Sequence, residues 1–436
     1  MANYFGTDGI RGVVNEGLTS EIAYKCGNAL CNFKKRPIII VGRDTRRSGD
    51  MIKLSLSAGI TTGGGNVIDM GIIPTAAVAY LTKFYKADFG VVISASHNPK
   101  EFNGIKIFGS DGFKINEELE EKIESYFNIP VLAKPEKLGS YKMDESGSLI
   151  YENYLIHTTP KRLDGLKVVL DCANGAGSIV AVNVFKHLGA KAVCINIDTS
   201  GDKINENCGS LHIEGLKNAV IENNAVAGFA YDGDSDRLIC CDELGNVVDG
   251  DKLIYIFANE YAKAGLLLQN SVVGTSHTNM GIEKALKNRQ INMLRSDIGD
   301  KYVMELMLKT GSIIGGEQSG HIIFSKIATT GDGILSSLQL ASMLVENKLS
   351  VLAEVKLFPQ TNINVKVKDK LRVLGSEHLA EAIEQQRLKL GTKGRIVVRA
   401  SGTEPIVRVF SETEDKDLCD ITAKAVEKVI KEIEEL

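Results

Sequence analysis

The segment Ser94-Ala95-Ser96-His97-Asn98-Pro99 follows the apolar run Gly90-Val91-Val92-Ile93, which has the length and β-branched content of a buried strand. A serine and a histidine therefore sit where a strand ends and a polar turn begins, a usual position for catalytic groups. Alone, the pair fits a hydrolase nucleophile, a transferase group or a solvated turn. Ala95-Ser96-His97 lacks the G-x-S-x-G turn of serine hydrolases. Further on, Asp232-Gly233-Asp234-Ser235-Asp236-Arg237 sets three carboxylates at alternate positions. In an extended or turning backbone these converge on one point as oxygen ligands for a hard divalent cation. The alternative is an acidic surface turn, but three such charges held together without a cation are electrostatically costly. An EF-hand loop counted from Asp232 fails, because Arg237 stands where that loop needs Gly and the flanks read as strands. Mg²⁺ matches better, since it is commonly held by a few carboxylates together with a phosphate oxygen.

Two later loops carry complementary groups. Arg399-Ala400-Ser401-Gly402-Thr403-Glu404-Pro405, with Arg408 beyond, joins two strand-like runs. Its small residues let backbone N–H groups approach an anion, and two arginines can grip phosphate oxygens in forked geometry; a plain hairpin turn is the alternative. Gly315-Gly316-Glu317-Gln318-Ser319-Gly320-His321 lies between two isoleucine-rich strands. Glu317 and Ser319, two apart, are placed to bind neighbouring sugar hydroxyls, and His321 to carry a proton, although a lone histidine beside a strand is more often structural. Gly6-Thr7-Asp8-Gly9-Ile10-Arg11-Gly12 is a further Gly-rich loop with a basic residue. Gly63-Gly64-Gly65 is no P-loop, and Asn174-Gly175-Ala176-Gly177 is an incomplete dinucleotide fingerprint.

The elements that must position these loops repeat one plan. Ile38-Ile39-Ile40-Val41-Gly42, the run from Val168 to Gly175, and Val272-Val273-Gly274-Thr275 each open a unit as a strand running into a Gly- or Asn-containing loop or turn. Each unit continues through a helix-like segment and a second strand, then closes as strand, polar loop, strand around Ser96, around Asp232 to Arg237, and around Glu317 to His321. Sequence identity between units is negligible, so the repeat is architectural. Alternating strands and helices predict α/β domains with mixed or parallel sheets. The last segment differs. Asn362 to Lys368 alternates with period two, Arg395 to Arg399 and Ile406 to Phe410 read as two more strands, and a helix with apolar positions Ile421, Ala425, Val429 and Ile433 ends the chain. The expected fold is three similar α/β mixed-sheet domains, at 1–148, 149–250 and 251–358, plus a C-terminal α+β domain at 359–436.

At 436 residues, 44% hydrophobic and 24% charged, the chain is an ordinary soluble composition with ample core. A net charge of −4 and the absence of an aromatic-rich basic patch point away from nucleic acid and from anionic membranes. No apolar run approaches the roughly 20 residues that cross a bilayer. The start has no secretory signal pattern. Eight cysteines without CxxC spacing read as reduced, mostly buried thiols of a cytoplasmic protein. Cys240 and Cys241 fall within one strand and face opposite sides.

A serine loop, a tri-aspartate loop, a polar loop and a phosphate-gripping loop thus occur in order, one per expected domain. The combination resembles the α-D-phosphohexomutase superfamily, whose four domains each contribute one loop to a central active-site cleft. The matching motifs are S-A-S-H-N-P at 94–99, D-G-D-S-D-R at 232–237, G-E-Q-S-G-H at 316–321 and R-A-S-G-T-E-P at 399–405. The resemblance spans essentially the whole chain. Many members have Thr where Ser94 stands. Tyr4 to Gly12, Gly315 to Phe324 and Thr329 to Gly333 are most similar to bacterial members that act on glucosamine phosphates, with mutases of phosphomannose or phosphoglucose the nearest rivals.

The resemblance implies that Ser96 is carried as phosphoserine, and that Asp232, Asp234 and Asp236 hold one Mg²⁺ together with an oxygen of that phosphate. It implies that glucosamine 6-phosphate binds through its phosphate on Arg399, Ser401, Gly402, Thr403 and Arg408, with Glu317 and Ser319 on its ring hydroxyls. Ser96 then donates its phosphoryl group, giving glucosamine 1,6-bisphosphate, which returns the other phosphoryl group and leaves as glucosamine 1-phosphate for amino-sugar and cell-wall precursor synthesis. Arg237 helps neutralise the transferring group. His97 and Arg11 match positions near it, and His321 is a candidate proton carrier. Lys106 matches a position that assists proton transfer, although its strand-like setting reads as a solvated lysine. A monomer or homodimer is expected.

Overall fold

The computed structural model describes residues 4–6, 8–401 and 405–435. The expected architectural repeat is present. In the first sheet Ile38–Arg43 pairs in parallel with Asn66–Ile72 on one side and Phe89–Ile93 on the other, and Phe102–Gly109 returns antiparallel to Phe89–Ile93. Lys167–Asp171, Lys191–Ile195, Ala227–Tyr231 and Leu238–Asp242 repeat that arrangement. Ser271–Thr275, Asn292–Ser296, Ile314–Gly316 and Ile322–Phe324 repeat it again. In each sheet the polar loop links the third strand to the fourth. It therefore lies beyond the carboxyl end of a parallel strand, the general place for ligands in α/β sheets.

Helices cover both faces of these sheets, which explains the continuous apolar runs. Phe89–Ile93, Ala227–Tyr231, Leu238–Asp242 and Ser271–Thr275 are buried at every position. Cys240 and Cys241 are both interior for the same reason, and all eight cysteines are free thiols. The first sheet has an addition that matters for the site. Gly9–Val13 pairs antiparallel with Phe102–Gly109, setting Arg11 opposite Gly104, two residues from Lys106.

By packing, residues up to 277 together with 291–354 form one compact unit, and 278–290 together with 355 onward form a second. The helix Met280–Lys287, inside the expected third domain, thus packs with the last segment. Asn279 explains this: its amide donates to Phe358 O (3.0 Å) and accepts from the Phe358 N–H (2.9 Å). The Met280 N–H donates to Glu412 Oε1 (3.0 Å).

In this second unit Ile406–Thr413 is the central strand, antiparallel to Gln360–Lys366 and Gly394–Ala400. The first of these begins two residues earlier than its alternation predicts. The helices Lys370–Leu374 and Glu377–Leu390 had no counterpart in the sequence reading. The final helix, Lys416–Glu435, requires a correction. Its buried face is Cys419, Thr422, Ala423, Val426, Ile430 and Ile433, while Ile421 is 64% exposed. Of the expected stripe, Ile433 is buried, Ala425 and Val429 lie on the flank and Ile421 points outward, because amphipathic period alone leaves the rotation of the helix to its packing partners. Ile430→Ala should therefore cost about 2–5 kcal/mol in denaturant unfolding, whereas Ile421→Ala should stay within about 0.5 kcal/mol of the parent.

Candidate active site

The first unit brings the serine loop and the aspartate loop into direct contact. Ser96 is buried, with its backbone in the left-handed region at φ 53°. Its hydroxyl donates to Asp232 Oδ2 at 2.5 Å and lies 3.4 Å from His97 Nδ1. Asp232, Asp234 and Asp236 are buried, and one oxygen from each lies within 4.8 Å of the others. Gly233 between them is required by space: a Cβ there would stand 2.8 Å from Ser96 O. Thr75 fastens the loop, its hydroxyl donating to Asp234 Oδ2 at 2.6 Å and its N–H to Asp234 O at 3.0 Å.

The triad fits a divalent cation on grounds internal to this chain. Asp234 Oδ1 is buried without a hydrogen-bond partner. Burial, then repulsion from Asp236 and Asp234, pushes the Asp232 carboxyl well above the usual carboxylate range. An all-oxygen donor set of this kind suits Mg²⁺.

Lys106 overturns the reading of a solvated lysine. It is buried, with Nζ 2.9 Å from Asp234 Oδ2, 3.1 Å from Asp236 Oδ2 and 3.3 Å from Asp8 Oδ2. Burial alone would lower its pKa, but those three carboxylates hold it well above the lysine range, so it stays an ammonium. The same field acts on Asp236. Burial would raise its carboxyl, yet Lys106, His321 and Arg237 keep it well below normal.

His321 is also buried, between acids: Nδ1 is 3.9 Å from Asp236 Oδ1 and Nε2 is 3.3 Å from Asp300 Oδ2. Burial opposes its charge, but Asp300 and Asp236 raise its pKa. The Gly331 N–H donates to the same Nε2 at 3.0 Å, which suits the neutral ring. Gly331 must be glycine, since a Cβ would fall 2.2 Å from that nitrogen.

Lys114 closes the arrangement, with Nζ 2.6 Å from Asp8 Oδ1 and 2.5 Å from Asp300 Oδ2. Asp8, Lys106, Asp236, His321, Asp300 and Lys114 form a ring of alternating acids and bases that joins all three repeats. Asp8, Lys114 and Asp300 were absent from the sequence-derived site. Asp8 lies within a motif that sequence reading noted, but nothing local marks Lys114 or Asp300.

The remaining predicted residues are placed as follows. Arg11 pairs with Asp8 (2.5 Å) and donates to Asn98 Oδ1 (3.3 Å). The Arg237 N–H donates to Asp232 Oδ1 (3.2 Å), and its Nε is 4.0 Å from Asp236 Oδ1. Glu317 is half-buried and accepts the Gly299 N–H at 3.0 Å, whereas Ser319 is exposed. In the second unit Arg399 and Arg408 stand directly opposite each other across an antiparallel pair. Side chains so placed share a face, and like charges there repel. Burial and then Arg408 depress the Arg399 pKa accordingly. Ser401 is buried, and its carbonyl accepts from Lys370 Nζ at 2.7 Å, a cation that sequence reading missed. Gly402 and Thr403 lie outside the described residues.

Serial loops on a thrice-repeated sheet, with a paired-arginine segment on a fourth, correspond to a known family. Models of phosphoglucomutase/phosphomannomutase α/β/α domains I, II and III match residues 2–130, 149–245 and 249–360, and the C-terminal domain model matches 363–429. The chain belongs to the phosphoglucomutase/phosphomannomutase family, within the α-D-phosphohexomutase superfamily. At the level of individual proteins, it is 47% identical to phosphoglucosamine mutase of Carboxydothermus hydrogenoformans, across 100% of both chains. It is also 47% identical to phosphoglucosamine mutase of Thermoanaerobacter sp. (strain X514), across 99% of both. In fold it is similar to a phosphoglucomutase/phosphomannomutase family protein of Burkholderia thailandensis, with TM-score 0.83 and 21% identity over 99% of this chain and 98% of that one. It is similar too to the N-acetylphosphoglucosamine mutase of Aspergillus fumigatus, solved with GlcNAc-6P and magnesium, with TM-score 0.67 and 17% identity over 100% and 96%.

His97 supplies a pH test of this electrostatic picture. Burial, then Arg237 and Arg11, lower its pKa to about 4, so the ring is neutral at physiological pH. An NMR titration should show no protonation of His97 between about pH 8 and 5, where an ordinary histidine charges near 6.5. The unfolded chain takes up that proton and the folded chain does not, so this group costs stability progressively as pH falls from about 6.5 toward 4. Arg237→Met, which removes the larger charge repulsion, should raise the His97 pKa.

Proposed function

We propose that this isomerase interconverts glucosamine 6-phosphate and glucosamine 1-phosphate, with Ser96 as the phosphoryl carrier. The observation that carries the reading is the Ser96 hydroxyl set against Asp232 of the three-aspartate cluster, in a chain nearly half identical to proteins named phosphoglucosamine mutase. A neutral hydroxyl is a poor metal ligand, whereas a phosphate on Ser96 adds about −1.5 to −2 charge and strong acceptor oxygens. Asp232, Asp234, Asp236 and one such oxygen would then hold Mg²⁺, which supplies charge neutralisation on the transferring group.

The chain's own residues do the rest. Arg11 and Arg237 face the phosphoryl oxygens with positive charge, and neutral His97 donates or accepts beside Ser96 Oγ without adding any. Phosphoryl transfer needs little more than such positioning and electrostatics. The Ser96 Oγ–P bond breaks as the anomeric oxygen of glucosamine 6-phosphate bonds to phosphorus, giving glucosamine 1,6-bisphosphate. The hydroxyl proton released in that step is assigned to His321, whose Nε2 accepts the Gly331 N–H and so is an unprotonated ring nitrogen, whereas Lys106 is already an ammonium among carboxylates. Lys106 keeps Asp236 charged while the proton moves. That proton ends on Ser96 Oγ as it departs. In the return step the 6-oxygen–phosphorus bond of the bisphosphate breaks as Ser96 Oγ bonds to phosphorus. The serine proton goes to the departing 6-oxygen, and glucosamine 1-phosphate leaves. Arg399, Arg408 and Ser401, with Gly402 and Thr403, are assigned to the phosphate that is not transferring, and Glu317 and Ser319 to ring hydroxyls.

Intact-mass measurement with phosphosite mapping should find one phosphoryl group, on Ser96, and Ser96→Ala should lose both it and turnover. Assays on glucosamine, glucose and mannose 6-phosphates, each with a trace of the matching 1,6-bisphosphate, should favour the glucosamine ester; preference for another sugar refutes the substrate assignment. Mg²⁺ at about a hundred times its Kd should stabilise the chain by about 2–3 kcal/mol. That gain should vanish in Asp234→Ala.

A further inference from the structure

Arg46 is fully buried, and each of its five N–H donors has an oxygen acceptor. Nε donates to Asp44 Oδ2 at 2.9 Å. Nη1 donates to Pro99 O (2.5 Å) and Phe102 O (3.0 Å), and Nη2 to Ser96 O (2.9 Å) and Asn98 O (2.8 Å). Four of the five bonds thus end on main-chain carbonyls of one segment, the turn that follows Ser96. The acid that orients the guanidinium belongs to the same system. Asp44 is buried, and its Oδ2 also accepts from Ser94 Oγ at 2.6 Å, while Ser94 Oγ accepts the Ser96 N–H at 2.9 Å. A second group reaches the turn from the second repeat: Asn205 Nδ2 donates to Ser96 O (2.8 Å) and Asn98 O (3.0 Å).

These contacts meet a specific need. Ser96 sits at φ 53°, a conformation that a side-chain-bearing residue keeps only when its surroundings over-determine it. A buried ion pair by itself is a poor stabiliser of a fold. A planar five-donor fork, however, is suited to fixing several converging carbonyls at once, which a lysine cannot do. All the contacts hold the backbone and leave Oγ free, so the turn can keep one shape whether Oγ carries hydrogen or phosphorus.

We infer that Arg46, oriented by Asp44 and joined by Asn205, is the positioning group that holds residues 96–102 in the backbone form that aims the Ser96 hydroxyl at Asp232. The inference rests on the reading of Ser96 as phosphoryl carrier. It assigns Arg46, Asp44 and Asn205 no contact with substrate.

The test compares Asn205→Ala and Arg46→Lys with the parent by amide hydrogen exchange and steady-state kinetics. Asn205 is half-buried and outside the ion pair, so its variant keeps the fold even if Arg46→Lys does not. In Asn205→Ala, amides of 96–102 should exchange about tenfold faster while those of the sheets are unchanged. Its kcat should fall about tenfold with KM within about twofold, the signature of misplacement rather than lost binding. Arg46→Lys, with three donors in place of five, should lose more of both, about a hundredfold in kcat. Unchanged exchange in the turn, or exchange rising equally throughout the sheets with kcat per folded molecule retained, would overturn the inference. A parent chain inactive on every hexose phosphate would instead overturn the functional reading, and the exchange comparison, which needs no turnover, would still decide the clamp.

Discussion

The first unit is organised around a concentration of buried negative charge. Asp232, Asp234 and Asp236 crowd a region that water scarcely enters, half-buried Asp8 stands beside them, and a single buried ammonium, Lys106, touches Asp8, Asp234 and Asp236. Removing carboxylates from water is expensive, and mutual repulsion adds to the cost. The folded state carries this cost only because cations from separate parts of the chain are brought in. Lys106 and Lys114 come from the first repeat and Arg237 from the second, while His321 of the third lies between Asp236 and Asp300. The three sheets therefore have to assemble before the charges can balance. Under the proposed function, a phosphate on Ser96 and a divalent cation on the aspartates would extend the same balance, one adding negative charge and the other positive.

One backbone plan is used for three different chemistries. In every repeat a loop leaves the carboxyl end of the third strand and re-enters as an antiparallel fourth, which fixes where its side chains emerge. The first repeat fills that position with Ser96 and His97, the second with three aspartates and the third with Glu317, Ser319 and His321. The fold sets location, and short local sequence sets function. The paired arginines of the second unit follow another logic: cross-strand register sets two like charges opposite each other on one face.

The same field sorts the titratable groups into roles. His97, beside Arg11 and Arg237, is held neutral, while His321, between Asp236 and Asp300, is drawn toward the protonated form. Lys106 is held charged by the acids that surround it. Residues whose ordinary pKa values are separated by environment alone take distinct parts in proton and charge handling. Neither the histidine next to the serine nor the lysine ten residues away acquires its character from its neighbours in sequence.

The loops themselves were legible in the sequence, because each compresses its chemistry into a few consecutive residues between recognisable apolar strands. Ser96, the aspartates and the arginine pair announce themselves by type and spacing, and the repeated strand order follows from the alternation of apolar runs. The burial of Lys106, the ring through Lys114 and Asp300, and the grip of Arg46 and Asn205 on the serine turn were not legible. Their partners lie up to about two hundred residues away, as with Lys114 and Asp300, 186 positions apart. The rotation of the final helix, and the attachment of Met280–Lys287 to the last segment, depended likewise on surfaces that exist only after folding. Sequence by itself determined which chemical groups the chain offers and the order of the elements that carry them. Only the tertiary structure decided which charges meet, how dry their surroundings are and hence which protons they keep, because those energies depend on distance and burial rather than on order along the chain.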